Sequence, residues 1–453
     1  MTNLKSVDKY LESNIENSLD ELINLTSQPS VAAQNLGMED TALMVKDMLK
    51  SRGFEVQIIE TEGFPVVIAD KKGKSDKTLL IYNHYDVQPA EPLDLWTSPP
   101  FEPEERDGKV YGRGISDDKG HFVGRLYAID ALLYVFGELP CNIKFILEGE
   151  EEIGSVNLPR FIEEHQDLLS ADACVWEFGG VNHDDKPMQY LGLRGICYVE
   201  LFVETASKDV HSGLGGSIFP NAAWRLNWAL STLKNKDERI QLPGFYDSVV
   251  PPSDRDVKMM SELPPVSEEY RSRYGLSNFL KEYKTETEFQ IASVFEPTCT
   301  ICGLTSGYQG PGSKTVLPAR ASAKVDFRLV PDQTPKQVLE QLREHLDQEG
   351  FSDVKFDFLG GEPAARTDPD HPFVKLVVDT SSEVYGTPMQ LIPMVGGSGP
   401  NYAFVHTLGL PVVSAGIGYP GSNAHAPDEN IRIDLYLKGA KHIARIIHAF
   451  GRS

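Results

Sequence analysis

The chain has 453 residues, 41% of them hydrophobic, and carries 43 lysines and arginines against 66 aspartates and glutamates, for a formal net charge of −23. That supplies at least one large core and more than one domain, and it excludes collagen-like, disordered and disulfide-stapled classes. So acidic a surface repels nucleic-acid phosphates and anionic membranes.

No apolar run reaches the roughly 18 residues of a membrane-spanning helix. The first twenty residues, MTNLKSVDKYLESNIENSLD, contain no apolar signal core. The five cysteines, Cys141, Cys174, Cys197, Cys299 and Cys302, are few and odd in number. They fit a reduced, cytoplasmic protein.

In chain order, residues 36–52 have the pattern of an amphipathic helix ending near Gly53. Short apolar runs follow at 55–60, 65–69 and 78–82. A helical stretch, 119–136, precedes the run Ile143–Leu147, and a further run covers Ala173–Trp176. This alternation predicts an α/β domain built on a mainly parallel sheet with helices on both faces.

From about Gly192 the texture changes. Long strands are expected at 194–204 and 320–330, helices at 219–234 and 334–348, and a strand at 353–359. The polar, proline-bearing stretch 243–288 is expected to hold helices and loops. Together these predict an inserted α+β domain over residues 192–363. Gly360–Asp370 has the composition of a linker, and the remainder returns to helix, strand, strand and helix. The first domain is therefore expected to span 1–191 and 364–453.

Residues with chemistry gather at the ends of these runs. LLIYNHYD places His84 and Asp86 at a strand end. Residues i and i+2 of an extended segment point the same way, so Asp86 can reach the His84 ring and fix its tautomer. GRGISDDKG brings Asp117 and Asp118 to the start of a helix. One of them can cap that helix, or a carboxylate can hold a cation where glycine lets the backbone approach. FILEGEEEIGS ends a strand in Glu150, Glu151 and Glu152, acids that repel one another unless a cation or protons compensate. Glu177 follows the run ACVW in the same manner, and His425 lies in the loop GSNAHAPDEN. Singly, each has a bland explanation as a solvated loop, a cap or a turn. Jointly, they place histidines and carboxylates where strands of one sheet end, and such mixed sets suit zinc and related divalent ions. Two metals about 3.5–4 Å apart require a carboxylate between them. Adjacent Glu151 and Glu152 allow one to serve as base and the other as ligand.

These strings resemble the zinc-dependent aminoacylase, carboxypeptidase G and cytosolic dipeptidase family of metallopeptidases. The resemblance rests on His84-Tyr85-Asp86, on Gly112-Arg113-Gly114 with Asp117-Asp118-Lys119-Gly120, on Glu151-Glu152 before Gly154-Ser155, and on Asn423-Ala424-His425, in that order along nearly the whole chain. HYDVQPAEPLDLW, YLGLRGICY, KDVHSG and FRLVPD are most similar to the carnosinase-like dipeptidase branch.

The resemblance implies that Asp117 bridges two divalent metals, most commonly zinc, with manganese or cobalt as alternatives. His84 and Glu177 complete one site, and Glu152 and His425 the other. Asp86 orients His84, and Glu151 is the general base for a metal-activated water. The Asp117–Asp118 peptide is implied to be cis. The inserted domain resembles a lid and dimerisation domain, which implies a homodimer. Its His211 matches an oxyanion-stabilising histidine, Arg328 a group that grips the substrate carboxylate, and Gly396-Gly397-Ser398 a substrate-contacting segment, of which Gly397 and Ser398 are the candidate contacts.

Dipeptides or short peptides are the expected substrates. Glu177 stands where dipeptidase members often carry aspartate and deacylase members glutamate, so a deacylase of the acetylornithine or succinyl-diaminopimelate type is the alternative. A non-catalytic binding protein on the same fold is a third reading.

Other signals carry less. Cys299-Thr300-Ile301-Cys302 lacks the second pair that a zinc ribbon needs, and is expected to be a plain reduced pair. Gly303–Gly312 lacks the Lys-Ser/Thr ending of a phosphate loop. Trp224 and Trp228, one helical turn apart, are expected to pack within the inserted domain.

Overall fold

The computed structural model describes residues 2–453. The chain forms two compact units. One takes in the chain up to Leu191 together with Arg366–Pro393 and Gly399–Ser453; the other comprises Gly192–Ala365 and Met394–Ser398.

The first unit is built on a six-stranded sheet in the order Glu55–Ile59, Val66–Lys71, Asn142–Glu148, Thr78–His84, Ala173–Trp176, Val412–Ser414. The first two junctions are antiparallel and the other three parallel. Strand TLLIYNH is buried at every position after Thr78, as a strand covered on both faces must be. Helix Met38–Ser51 packs against the two antiparallel strands. Helix Lys119–Phe136 packs against Ile433–Phe450, Thr2–Ser13 and Ile15–Ser27. Thirteen of its eighteen residues are buried. The sheet is thus mostly parallel with many helices, as the alternating pattern implies.

Three of the parallel strands end together. His84 lies opposite Glu148, Glu151 and Glu152 follow at once, and Glu177 directly follows Trp176. Functional groups collect at such carboxyl ends because the loops there open outward from a fixed frame.

The second unit holds a four-stranded antiparallel sheet in the order Thr298–Ser306, Arg320–Leu329, Gly195–Glu204, Lys355–Glu362. Strand Gly195–Glu204 alternates buried and half-buried residues. Its Val199 and Leu201 share a core with Val325, Phe327, Leu226 and Leu342. That core lies under helices Ala222–Leu233 and Pro335–Gln348, the latter opened by a capping box between Thr334 and Gln337. The stretch 243–288 contains helices Asp254–Ser261 and Ser267–Tyr274, and Glu286–Phe295 begins within it.

One expectation fails here, and one strand is new. Trp224 and Trp228 do not pack into the core. They are more than half exposed and stack on each other at 5.8 Å, because their helix turns Leu226, Ala229 and Leu233 inward instead. Strand Thr298–Ser306 was not anticipated: it is mostly exposed and carries a bulge between Ile301 and Gly303.

All five cysteines are free. No helix among the described residues is long and apolar enough to cross a membrane.

Candidate metal centre

His84 ends its strand almost fully buried. Its Nδ1 donates to the main-chain oxygen of Asp86 at 3.0 Å and lies 3.3 Å from the Asp86 carboxylate. That arrangement leaves Nε2 facing Asp117 Oδ1 at 3.1 Å. The other Asp117 oxygen, Oδ2, lies 3.0 Å from His425 Nε2, and the same nitrogen lies 3.1 Å from Glu152 Oε2. Asp117 therefore presents one oxygen to each imidazole. His84, Asp117 and Glu152 offer ligand atoms within 4.8 Å of one another.

Asp86 does more than hold the ring. Its Oδ1 accepts the Glu151 N–H at 3.2 Å and its Oδ2 the Glu152 N–H at 3.0 Å. Gln88 Nε2 donates to Glu152 Oε2 at 2.8 Å. A cavity of about 400 Å³ opens onto the cluster, lined by Asp117, Glu151, Glu177 and His425 and by the rings of Phe178, Tyr190 and Tyr419.

Electrostatics follow from burial and crowding. Burial, aided by Asp117 and Glu152 and opposed by His84, pushes the Glu151 carboxyl up to about 8. Burial and then the Glu151 charge hold Glu177 well above the usual carboxylate range. Burial works against a proton on His84, but the hydrogen bonds its ring donates to Asp117 and Asp86 outweigh it and raise the ring. Asp117 and Glu152 raise His425 to about 10. Asp117 moves the opposite way: burial is outweighed by His425 and His84, which hold it well below the usual range.

The donor set fits divalent ions. Imidazole nitrogens and carboxylate oxygens are the ligands zinc and its neighbours take. Glu152 Oε1 and Glu177 Oε2 are buried with no hydrogen-bond partner among the described residues. Such orphaned acceptors are costly unless a cation meets them.

Asp118 occupies the N-cap position of helix Lys119–Phe136 but makes no side-chain cap bond. It accepts from Asn83 Nδ2 and from the His84 N–H instead, so the capping reading fails for it. The Asp117–Asp118 peptide is cis.

Two residues that hold the site escaped the sequence. Glu429 is fully buried and takes the N–H groups of Gly114, Ser116 and Asp117 together with Arg113 Nη1. Arg125 donates Nη1 to the Tyr82 oxygen and to Asn83 Oδ1, both at 2.7 Å, and Nη2 to the main-chain oxygens of Trp176 and Glu177. A guanidinium set among the apolar residues of a mostly buried helix was the available signal for Arg125. Glu429 was hidden in a turn-like string.

His211, Arg328, Gly397 and Ser398 belong to the second unit. His211 is exposed, and its Nδ1 accepts the Gly213 N–H at 3.0 Å. Arg328 Nη1 donates to Ser398 Oγ at 2.8 Å. Gly397 accepts the Arg194 N–H at 3.0 Å.

Imidazoles and acids at the ends of parallel strands, with one carboxylate spanning two rings, are the chemistry of a metal-dependent hydrolase. The chain belongs to peptidase family M20/M25/M40, whose model matches residues 80–449. The beta-Ala-His dipeptidase of Homo sapiens is 31% identical over 402 residues, covering 84% of this chain and 76% of that protein. The Mus musculus enzyme of the same name is 34% identical over 286 residues, but the match spans 62% of this chain and 58% of the relative. The crystal structure of Sso-CP2, an M20 family metallo-carboxypeptidase from Sulfolobus solfataricus, is similar at a TM-score of 0.91 and 38% identity, covering 96% of this chain and 99% of that one. The chain is a peptidase of a metal-dependent family.

Proposed function

We propose that the chain is a two-metal dipeptidase that hydrolyses the amide bond of dipeptides or short peptides. One observation carries the reading: the Asp117 carboxylate spans His84 and His425, at 3.1 and 3.0 Å. The similarity to beta-Ala-His dipeptidases supports the substrate class.

His84 and Glu177 would hold one ion, Glu152 and His425 the other, and Asp117 would serve both; zinc suits this set best, with manganese or cobalt as alternatives. When bound, the ions polarise the scissile carbonyl and lower the pKa of water. Glu151 takes the proton of the attacking water and returns it to the leaving amine, so the amide C–N bond breaks with no net proton change. Asp86 fixes the His84 tautomer and, through two N–H bonds, the backbone that carries Glu151 and Glu152.

In the second unit His211 donates to the oxyanion, Arg328 pairs with the substrate carboxylate, and Gly397 and Ser398 contact the substrate. That unit serves as lid and as homodimer contact. Five free cysteines support a reducing, cytoplasmic setting.

The test is hydrolysis of a panel of dipeptides and N-acyl amino acids with and without chelator. Faster, chelator-sensitive turnover of dipeptides is expected. Faster turnover of N-acyl amino acids assigns a deacylase, and full metal occupancy with no turnover of either assigns a binding protein. Glu151→Gln is expected to keep its metal and lose roughly 10²–10⁴-fold in kcat; near-normal turnover in that variant removes Glu151 from the base role.

A further inference from the structure

Arg194 is 5% exposed and directly precedes strand Gly195–Glu204. Its main-chain N–H donates to Gly397 at 3.0 Å, and the Val395 N–H returns to Gly192 at 2.9 Å. The strap Met394–Ser398 is thereby pinned to residues 192–194. The Arg194 side chain reaches elsewhere: Nη1 donates to the Ser293 oxygen at 3.0 Å and Nη2 to the Glu296 oxygen at 2.9 Å. These carbonyls belong to the last turn and C-cap of helix Glu286–Phe295. Such carbonyls lack partners within their helix, and the helix dipole favours a cation there.

The strap touches that helix a second time. Met394, its first residue, is fully buried against Val294, Phe295 and Met260. At the strap's other end, Ser398 Oγ accepts from Arg328 Nη1 at 2.8 Å. A chain of direct contacts thus runs from the helix through Arg194 and the strap to the Arg328 guanidinium. The bonded acceptors of the Arg194 side chain are both neutral. Burial, and after it the charge of Arg328, lowers its guanidinium to about 10. The Asp326 carboxylate, 3.7 Å from Arg328 Nε, offsets part of this repulsion.

We infer that Arg194 is a positioning residue for carboxylate recognition, setting through the strap where Ser398 holds Arg328, with helix Glu286–Phe295 as the buttress. This rests on the reading of Arg328 as the group that grips the substrate carboxylate. The helices of 254–295, otherwise without a role, then support substrate selection.

The experiment compares a dipeptide bearing a free C-terminal carboxylate with its C-terminal amide. Arg194→Ala is expected to raise KM for the acid about tenfold, with kcat within about threefold of wild type, and to leave KM for the amide unchanged. Arg194→Lys, which keeps the charge and part of the bonding, recovers part of the loss. In an Arg328→Ala background, Arg194→Ala adds nothing, because both act through one group. Equal KM rises for acid and amide, or additive effects of the two substitutions, overturn the inference. If Arg194→Ala does not fold, Met394→Ala loosens the same strap and is expected to show the same acid-selective rise; a rise shared by the amide overturns the inference there too. Wild-type inactivity on dipeptides overturns the proposed function alone. The acid and amide, as dipeptides or as N-acyl amino acids, are then compared by calorimetric binding, and acid-selective weakening in the Arg194 variants remains the expected result.

Discussion

The carboxylate of Glu429 accepts the main-chain N–H of Asp117 at 3.0 Å, across 312 residues of sequence. The same group takes the N–H of Gly114 and Ser116 and the guanidinium of Arg113. One buried acid thus shapes the loop that presents the carboxylate shared by both imidazoles. Glu429→Ala strands three N–H groups and a buried guanidinium, and a loss of about 3–5 kcal/mol in unfolding free energy is expected. Metal affinity should fall roughly 10–100-fold where the variant still folds. Urea denaturation and a metal titration read the two effects separately.

Arg125 ties two strand ends together, through Tyr82 beside His84 and through Trp176 beside Glu177. Lysine has the charge but not the planar fork that reaches four acceptors. Arg125→Lys is therefore expected to weaken metal binding at the proposed His84 and Glu177 site more than at the proposed Glu152 and His425 site. Elemental analysis after mild dialysis should find metal stoichiometry falling from two toward one. Retention of both ions would show that the strand ends hold their spacing without it.

His442 lies in helix Ile433–Phe450, almost fully buried, with Nε2 donating to the Val377 oxygen at 3.1 Å. Burial, assisted by the Arg445 charge, lowers the ring to about 4. In the unfolded chain the ring takes a proton near pH 6.5, so between pH 6.5 and 4 the unfolded state binds the extra proton. The stability from the neutral ring is complete above pH 6.5 and is lost as pH falls to 4, by about 3 kcal/mol in all. Measured in chelator, wild type should lose roughly that much more than His442→Gln between pH 7 and pH 4. Parallel losses in the two proteins would mean the ring protonates in place.

Stripping the metal should lower the thermal midpoint, because the site gathers Asp117, Glu151, Glu152 and Glu177 around two imidazoles. Adding back Zn or Mn should raise it, with the shift growing as the logarithm of free metal concentration. A midpoint indifferent to chelator and metal would separate this cluster from ion binding.

Much of this was legible because the apolar runs and the chemical residues adjoin. LLIYNHYD and FILEGEEE announce both a strand and the groups at its end, since a doubly covered strand must be apolar until it emerges. The second unit's edge strand, Thr298–Ser306, was not legible: exposure on much of its length and a bulge erase the period of two. Trp224 and Trp228 misled because spacing shows that two rings share a helix face without saying which face is covered. Glu429 was invisible for a different reason. Three of its partners are main-chain N–H groups and the fourth is Arg113, all more than three hundred residues away, a separation across which no local pattern pairs the acid with its donors.

Asp86 receives N–H groups from the residues carrying the candidate base and a candidate ligand, while its other contact steadies the His84 ring. Three chemically different tasks are therefore mechanically geared to a single short side chain. Lengthening it by one methylene, Asp86→Glu, would move the whole gearbox at once, so selection has little freedom to retune any of the three on its own.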